Sequence, residues 1–218
     1  MNKDRLLKQL GIIDSVHIED LRNWCSLLNI VRKAGTSYKR YQNYKGEVLP
    51  NNSLYRDYMV KKNEIGLKQI PEEFVSFIIT LSYLRITSFL EIGTFCAGTF
   101  SFMHHYLRRF YPALTSVTID IVCTGHGMQE LLGDGAKFYI GDFSAIADLE
   151  FDLVFIDGDH TYEGVKADYE KYKDRAKIIA FHDIVCEPDV GKFWKSIRGK
   201  NYEEFVCDAF ANGIGVLY

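Results

Sequence analysis

Leu90-Glu91-Ile92-Gly93-Thr94-Phe95-Cys96-Ala97-Gly98-Thr99 is the stretch on which the fold turns. It reads as the end of a buried strand (Ser88–Ile92), a turn at Gly93, and a helix from about Gly98 to Arg109. Glycine permits a tight turn and close approach of a ligand to the backbone. The first N–H groups of the following helix have no partner inside it. The G-x-G-x-x-G fingerprint of dinucleotide folds is absent, because Phe95 holds its middle position. A glycine pair alone is often just a turn, so the weight falls on Glu91, the acid that ends the strand.

Downstream, strands and helices alternate. Strands are predicted over Ser116–Ile119, Lys137–Ile140, Asp152–Ile156 and Lys177–Phe181, ending at Asp120, Gly141-Asp142, Asp157 and His182-Asp183. Glu163–Lys173 reads as a helix, and Val190, Phe193, Trp194 and Ile197 give another helix its apolar face. Glu203–Cys207 and Gly215–Leu217 supply two last strands. The pattern predicts an α/β fold with a mainly parallel, seven-stranded sheet flanked by helices. Ligands of such sheets bind outside the carboxyl ends of the strands. One acid after a strand is usually a turn former or cap; five in register argue for a shared site.

Upstream, Leu6, Leu7 and Leu10 form a short apolar face closed by Gly11, and Asp14 and Ser15 are candidate caps for a second helix. Ile18, Leu21, Trp24, Cys25, Leu28 and Val31 carry that helix at a 3.6-residue period until Gly35. Residues 36–70 show no clean period. Pro71 suits a first helical position, Glu72 and Glu73 suit the positive end of the dipole, and Phe74, Phe77, Ile78 and Leu81 form the buried stripe. The boundary therefore falls before Pro71, between a helical arm or lid (1–70) and the main domain (71–218).

Charge divides at the same place. Residues 1–70 hold 13 Lys+Arg against 7 Asp+Glu (+6), and residues 71–218 hold 13 against 22 (−9), which sum to the net −3. A basic arm on an acidic body fits an anionic partner, docking of one part on the other, or ordinary solvated charge. Tyr38, Tyr41 and Tyr44 interleave with Lys39, Arg40 and Lys45, which suits a sugar, a phosphate, single-stranded nucleic acid or a plain surface loop. A hydrophobic content of 47% excludes global disorder. The longest apolar run, Phe74 to Leu90, is interrupted by Thr80, Ser82, Arg85, Thr87 and Ser88, so no membrane span is expected. The first residues lack the apolar stretch of a secretory signal, and five scattered cysteines without a C-x-x-C pair fit a reducing compartment; a cytoplasmic location is expected. Cys123 and His126 have ligand-like spacing but no second pair.

Glu91-x-Gly93 followed by Ala97-Gly98 resembles motif I of the class I S-adenosylmethionine (SAM) dependent methyltransferases, especially their catechol and macrocin O-methyltransferase-like branches (methyltransferase family 24). The string from Phe151 through Asp157-Gly158-Asp159-His160 to Glu163 is the most specific part of the likeness, and Gly213-Ile214-Gly215-Val216-Leu217 is similar to the family's end. The resemblance covers roughly residues 70–218 and implies a Rossmann-like methyltransferase fold. By it, Gly93, Thr94, Phe95, Ala97 and Gly98 line the methionine part of SAM and Glu91 meets its amine. Asp120 accepts from the ribose hydroxyls, Asp142 accepts from the adenine amino group with Phe143 packed nearby, and Asp157 closes the cofactor site. Many members carry glycine where this chain has Ala97.

The metal-dependent branches place one ligand after the fourth strand and two after the fifth, which falls here on Asp157, His182 and Asp183, for Mg²⁺ or Mn²⁺. An imidazole in the set tilts the preference away from Mg²⁺, and the alternative is an acidic cleft that works without metal. Asp159 and His160 are the first candidates for the base, with His182 the second. The implied activity is O-methylation of a hydroxyl on a small molecule or a sugar, the acceptor being anionic if the arm's charge serves it. The alternatives are a nucleic-acid methyltransferase using the arm, a non-catalytic SAM-binding protein, and an oxygenase with His160, His182 and an acid as a facial triad. No Asn-Pro-Pro-Tyr or Pro-Cys motif supports base methylation. A homo-oligomer is compatible with all of these readings.

Overall fold

The computed structural model describes residues 2–34, 66–121, 131–141, 143–207 and 211–218. Gly35, the Tyr38–Lys45 segment, Cys123, His126 and Asp142 lie outside the described residues.

Seven strands form one sheet: β1 (Ser88–Ile92), β2 (Thr115–Asp120), β3 (Ala136–Ile140), β4 (Phe151–Ile156), β5 (Ala176–His182), β6 (Tyr202–Phe205) and β7 (Ile214–Leu217). Their order is β3-β2-β1-β4-β5-β7-β6. The first five run parallel, and β7 is antiparallel to both β5 and β6. The order reverses between β1 and β4, the switch point where such sheets open a crevice.

Strand periodicity sorts the core into two layers. Phe89, Leu153, Phe155, Ile178 and Ala180 face one side, where they pack with α4 (Pro71–Leu81) and α5 (Gly98–Phe110). Leu90, Ile92, Val154, Ile156, Ile179 and Phe181 face the other, against α6 (Tyr162–Tyr172) and α7 (Pro188–Ile197). At the opposite end of the sheet Asp152 fastens β4 to the start of β1. Its Oδ2 accepts from Thr87 N (2.6 Å) and Ser88 N (3.2 Å), and its Oδ1 lies 2.5 Å from Lys177 Nζ. Burial works to raise its pKa, but these bonds outweigh it and bring the carboxyl down to about 2.

The arm differs from the sequence reading in three ways. Gly11 does not close the first helix: α1 runs Asn2–Ser15. Gly11 is exposed there, and a single glycine costs a helix only about 1 kcal/mol. Asp14 and Ser15 belong to α1, and His17 caps α2 (Ile18–Arg22) instead. The apolar period through Val31 is broken at Asn23, whose Oδ1 accepts from Ser26 N (3.0 Å) at the start of α3 (Trp24–Ala34). That break turns Trp24 and Cys25 outward and Leu27, Ile30 and Ala34 inward. The arm helices form an outer layer on α4 and α5. Tyr106 of α5 donates to Leu21 O (3.2 Å), and Arg22 reaches Ser82 O (2.7 Å).

His104 of α5 is fully buried, with Nδ1 2.9 Å from Ser116 Oγ. Burial, with help from His105 and Arg108, lowers its pKa to about 4 against the opposing pull of Asp134 and Asp14. Between pH 6.5 and about 4 the unfolded chain therefore binds a proton that the native chain refuses. The stability this neutral histidine confers is full above pH 6.5 and is lost as the pH falls through that window, by roughly 3 kcal/mol. Urea unfolding at pH 7.5 and pH 5 should show a drop that shrinks clearly in His104→Gln. The same drop in both proteins would assign it to other groups.

Candidate functional site

The strand ends of β1, β2, β4 and β5 converge as predicted, and each acid is held by a specific contact. Glu91 is 1% exposed, on the α5 side of β1. Its Oε2 accepts from Thr118 Oγ1 (3.0 Å), and Thr118 Oγ1 is 2.6 Å from Thr94 Oγ1. Glu91 Oε1 has no hydrogen-bond partner among the described residues. Burial, seconded by Asp157, pushes this carboxyl well above its ordinary range. Asp120 Oδ2 accepts from Phe95 N (2.7 Å), so the acid expected at the ribose also fixes the turn after β1. Phe143 opens a short 3-10 helix after β3, with Lys171 Nζ 4.4 Å from its ring centroid.

The turn itself is strained. Phe95 (φ 46°) and Ala97 (φ 56°) are left-handed, as is Asp183 (φ 61°) beyond β5. Such conformations cost non-glycine residues about 1–3 kcal/mol and gather at functional sites. Ala97 thus keeps the backbone shape that glycine usually provides, and its methyl is buried. Gly93 (φ 95°) is required twice, because a Cβ there would overlap the Asp157 carbonyl and stand 2.6 Å from Gly158 Cα. A Cβ at Gly98 would overlap the carbonyl of Gly66, so the end of the arm lies directly on the start of α5.

Asp157 and His182-Asp183 meet across β4 and β5. His182 Nδ1 is 3.1 Å from Asp157 Oδ1 and 3.1 Å from Asp183 Oδ1. His160 Nε2 is 3.2 Å from Asp183 Oδ2 and 3.7 Å from Asp157 Oδ1. Among the described residues, the group whose ligand atoms draw together within 4.8 Å is Asp157, His160 and Asp183. His160 thereby stands where His182 was expected. His182 is the last residue of β5, 5% exposed, and braces the two carboxylates from behind.

Burial acts to lower both imidazoles, but the carboxylates win. Asp157 and Asp183 raise His160 to about 9 and hold His182 well above its ordinary value. For Asp157 and Asp183 burial acts to raise the pKa, and the histidines outweigh it and lower both carboxyls. With only the carboxylates around them, both imidazoles therefore favour the protonated form. Asp159 does not join the cluster. Its Oδ1 accepts from Thr161 N (2.9 Å) and its carboxyl lies against Gly164, so it shapes the start of α6.

Two contributors were not legible in the sequence. Gln69, in the segment without a clean period, is 3% exposed and its Nε2 lies 3.3 Å from Thr99 Oγ1 and 3.5 Å from Asp157 Oδ2. Glu73, read as a first-turn acid, is 2% exposed and accepts from Cys207 N (3.0 Å) and Gly213 N (2.9 Å). Asn212 and Gly213 in turn accept from Val185 N (2.9 Å) and Ile184 N (3.3 Å), which steadies the loop bearing Asp183. The spacing of polar residues gives no sign of either role.

Residues 90–184 match the family model described as a methyltransferase domain. No curated protein matches the sequence significantly. Among solved structures, an O-methyltransferase from Bacillus cereus in complex with SAH is 12% identical at a TM-score of 0.54, covering 85% of this chain and 98% of its own. The O-methyltransferase TomG from Streptomyces achromogenes, involved in tomaymycin synthesis and in complex with SAM, is 12% identical at a TM-score of 0.53, covering 85% and 96%. A structure described as cmcI-D160 Mg-SAM is 10% identical at a TM-score of 0.50, covering 70% and 73%. The seven-stranded sheet is that of the Rossmann-like methyltransferase fold.

Proposed function

We propose that this chain, which carries a methyltransferase domain on the Rossmann-like methyltransferase fold, transfers the methyl group of SAM to a hydroxyl of a small molecule or sugar. The observation that carries the reading is Glu91 Oε1, a buried carboxyl oxygen beside the Gly93 turn with no hydrogen-bond partner among the described residues. A buried polar atom left unmatched costs about 1–3 kcal/mol, so a partner from a ligand is called for, and the α-ammonium of SAM fits, because its charge would draw the raised Glu91 carboxyl into its ionised, accepting form. Dinucleotides fit poorly. Their pyrophosphate sits on the helix after the first strand, and here the Gly66 carbonyl lies against Gly98 at the start of that helix.

Asp157, His160 and Asp183 suit a divalent cation, two carboxylates with one imidazole favouring Mn²⁺ over Mg²⁺; the Mg-SAM structure among the neighbours supports a metal in this fold. A cation held there would lower the pKa of an acceptor hydroxyl and orient it. His182 would brace both carboxylates, and Glu91 and the turn after β1 would hold SAM in line with the acceptor, which is most of what methyl transfer from a sulfonium requires. The arm's end, residues 66–70, forms a wall of the site, with Gly66 against Gly98 and Gln69 against Thr99 and Asp157. The nucleic-acid reading has in its favour the +6 charge of residues 1–70 and the tyrosines interleaved with Lys39, Arg40 and Lys45, but no motif for base methylation. No helix among the described residues is long and apolar enough to cross a membrane. The five scattered cysteines, with no C-x-x-C pair, support a reducing compartment and with it a cytoplasmic enzyme.

Calorimetry tests the cofactor. SAH and SAM should bind, NAD should not, and Glu91→Gln should weaken SAH about tenfold through loss of a charge-assisted bond. No binding of SAH by the wild type, or tighter binding of NAD, would sink the proposal.

A further inference from the structure

We propose that Gln69 is a cofactor-binding residue whose side-chain oxygen accepts a hydrogen bond from the α-ammonium group of SAM. The inference rests on the SAM reading above and adds a ligand from the arm to the acids at the strand ends.

Gln69 sits one residue before Ile70, the N-cap of α4, in the segment that the contact of Gly66 with Gly98 presses onto the start of α5. The orientation of its amide is set by its neighbours. Its nitrogen faces Asp157 Oδ2 (3.5 Å) and Thr99 Oγ1 (3.3 Å) and donates to both. That leaves Oε1 buried, with no donor among the described residues.

The missing donor belongs to a cation. Gln69 touches Asp157, and Asp157 is also the acid whose charge bears most on Glu91, whose Oε1 lacks a donor too. An ammonium group brings three N–H donors and a positive charge, and so serves acceptors that lie in a negative field. A carboxylate or phosphate would bring no donor and would be repelled. The other donors of SAM, its ribose hydroxyls and adenine amino group, belong with Asp120 and β3, on the far side of β1 in the strand order. Gln69 lies on the near side, against the end of β4.

Gln69→Met keeps the length and packing of the side chain while removing its polar atoms. Calorimetry should compare SAH with the SAH analogue that lacks the α-amino group. The variant should bind SAH about tenfold more weakly and the analogue less than about twofold more weakly than the wild type does. Equal losses for the two ligands, or no loss for SAH, would overturn the assignment of Gln69 and leave the SAM reading intact. Wild-type protein that binds neither ligand would sink both. A crystal structure of the wild type with SAH tests the same contact without a variant. Gln69 Oε1 should lie within about 3.2 Å of the α-nitrogen, and a separation beyond about 4 Å would overturn the proposal.

Discussion

Gly93→Ala should cost about 4 kcal/mol of stability and abolish SAH binding in whatever fraction still folds. Two penalties combine at this position. The residue holds φ at 95°, and the new methyl would occupy the space of the Asp157 carbonyl. Left-handed strain is worth about 1–3 kcal/mol, and forcing β1 and β4 apart at their carboxyl ends adds a comparable amount. Gly141 is the control. It too has positive φ (68°), but nothing lies within 4 Å of a Cβ built there, so Gly141→Ala should cost only about 1 kcal/mol. Urea denaturation of the two variants separates strain from collision; equal effects would mean that the close approach of β4 is not what demands a glycine at 93.

Asp183→Asn should remove Mn²⁺ binding, measured by electron paramagnetic resonance, and lower methyl transfer to hydroxylated small-molecule acceptors on the order of 10³-fold. SAH affinity should change less than about threefold. Asparagine is the right replacement because it tolerates the left-handed backbone at this position (φ 61°), so the loss reports the charge and not the strain. The wild type should lose activity to a chelator and regain it with Mn²⁺ or Mg²⁺. Full activity of the wild type in chelator would end the metal reading and leave Asp157 and Asp183 as partners of His160 and His182 in a metal-free cleft.

Much of the site was legible because it depends on short-range chemistry. An acid at a strand's carboxyl end and a glycine in the following turn are fixed within a few residues, so the positions of Glu91, Gly93, Asp120, Asp157 and Asp183 along the sheet's edge could be read from the strand pattern, while their roles came from the family resemblance. The arm was less legible. A period of 3.6 says that an apolar face exists, but it does not say whether one helix or two will carry it, and at Asn23 a single side-chain cap decided for two. The metal-like trio shows the same limit. His160 and His182 look equivalent as imidazoles near a strand end. Which one faces the open side depends on β5 extending through His182 and on the loop after β4 turning His160 back toward Asp183.

The sequence by itself determined the alternation of strands and helices, the register of acids along the carboxyl edge and the place of the Gly93 turn, because those follow from side-chain periodicity and backbone stereochemistry. Only the tertiary structure decided which polar atoms are left without partners. Among the described residues, burial leaves Glu91 Oε1, Gln69 Oε1 and His182 Nε2 at the site without a hydrogen-bond partner. Burial depends on residues far apart in the chain: residues 66–70 of the arm, the backbone after β4 and the N-terminus of α5 must close on one another before water is excluded. The same closure makes ion pairs of His160 and His182, which the sequence presents as two titratable groups open to any role.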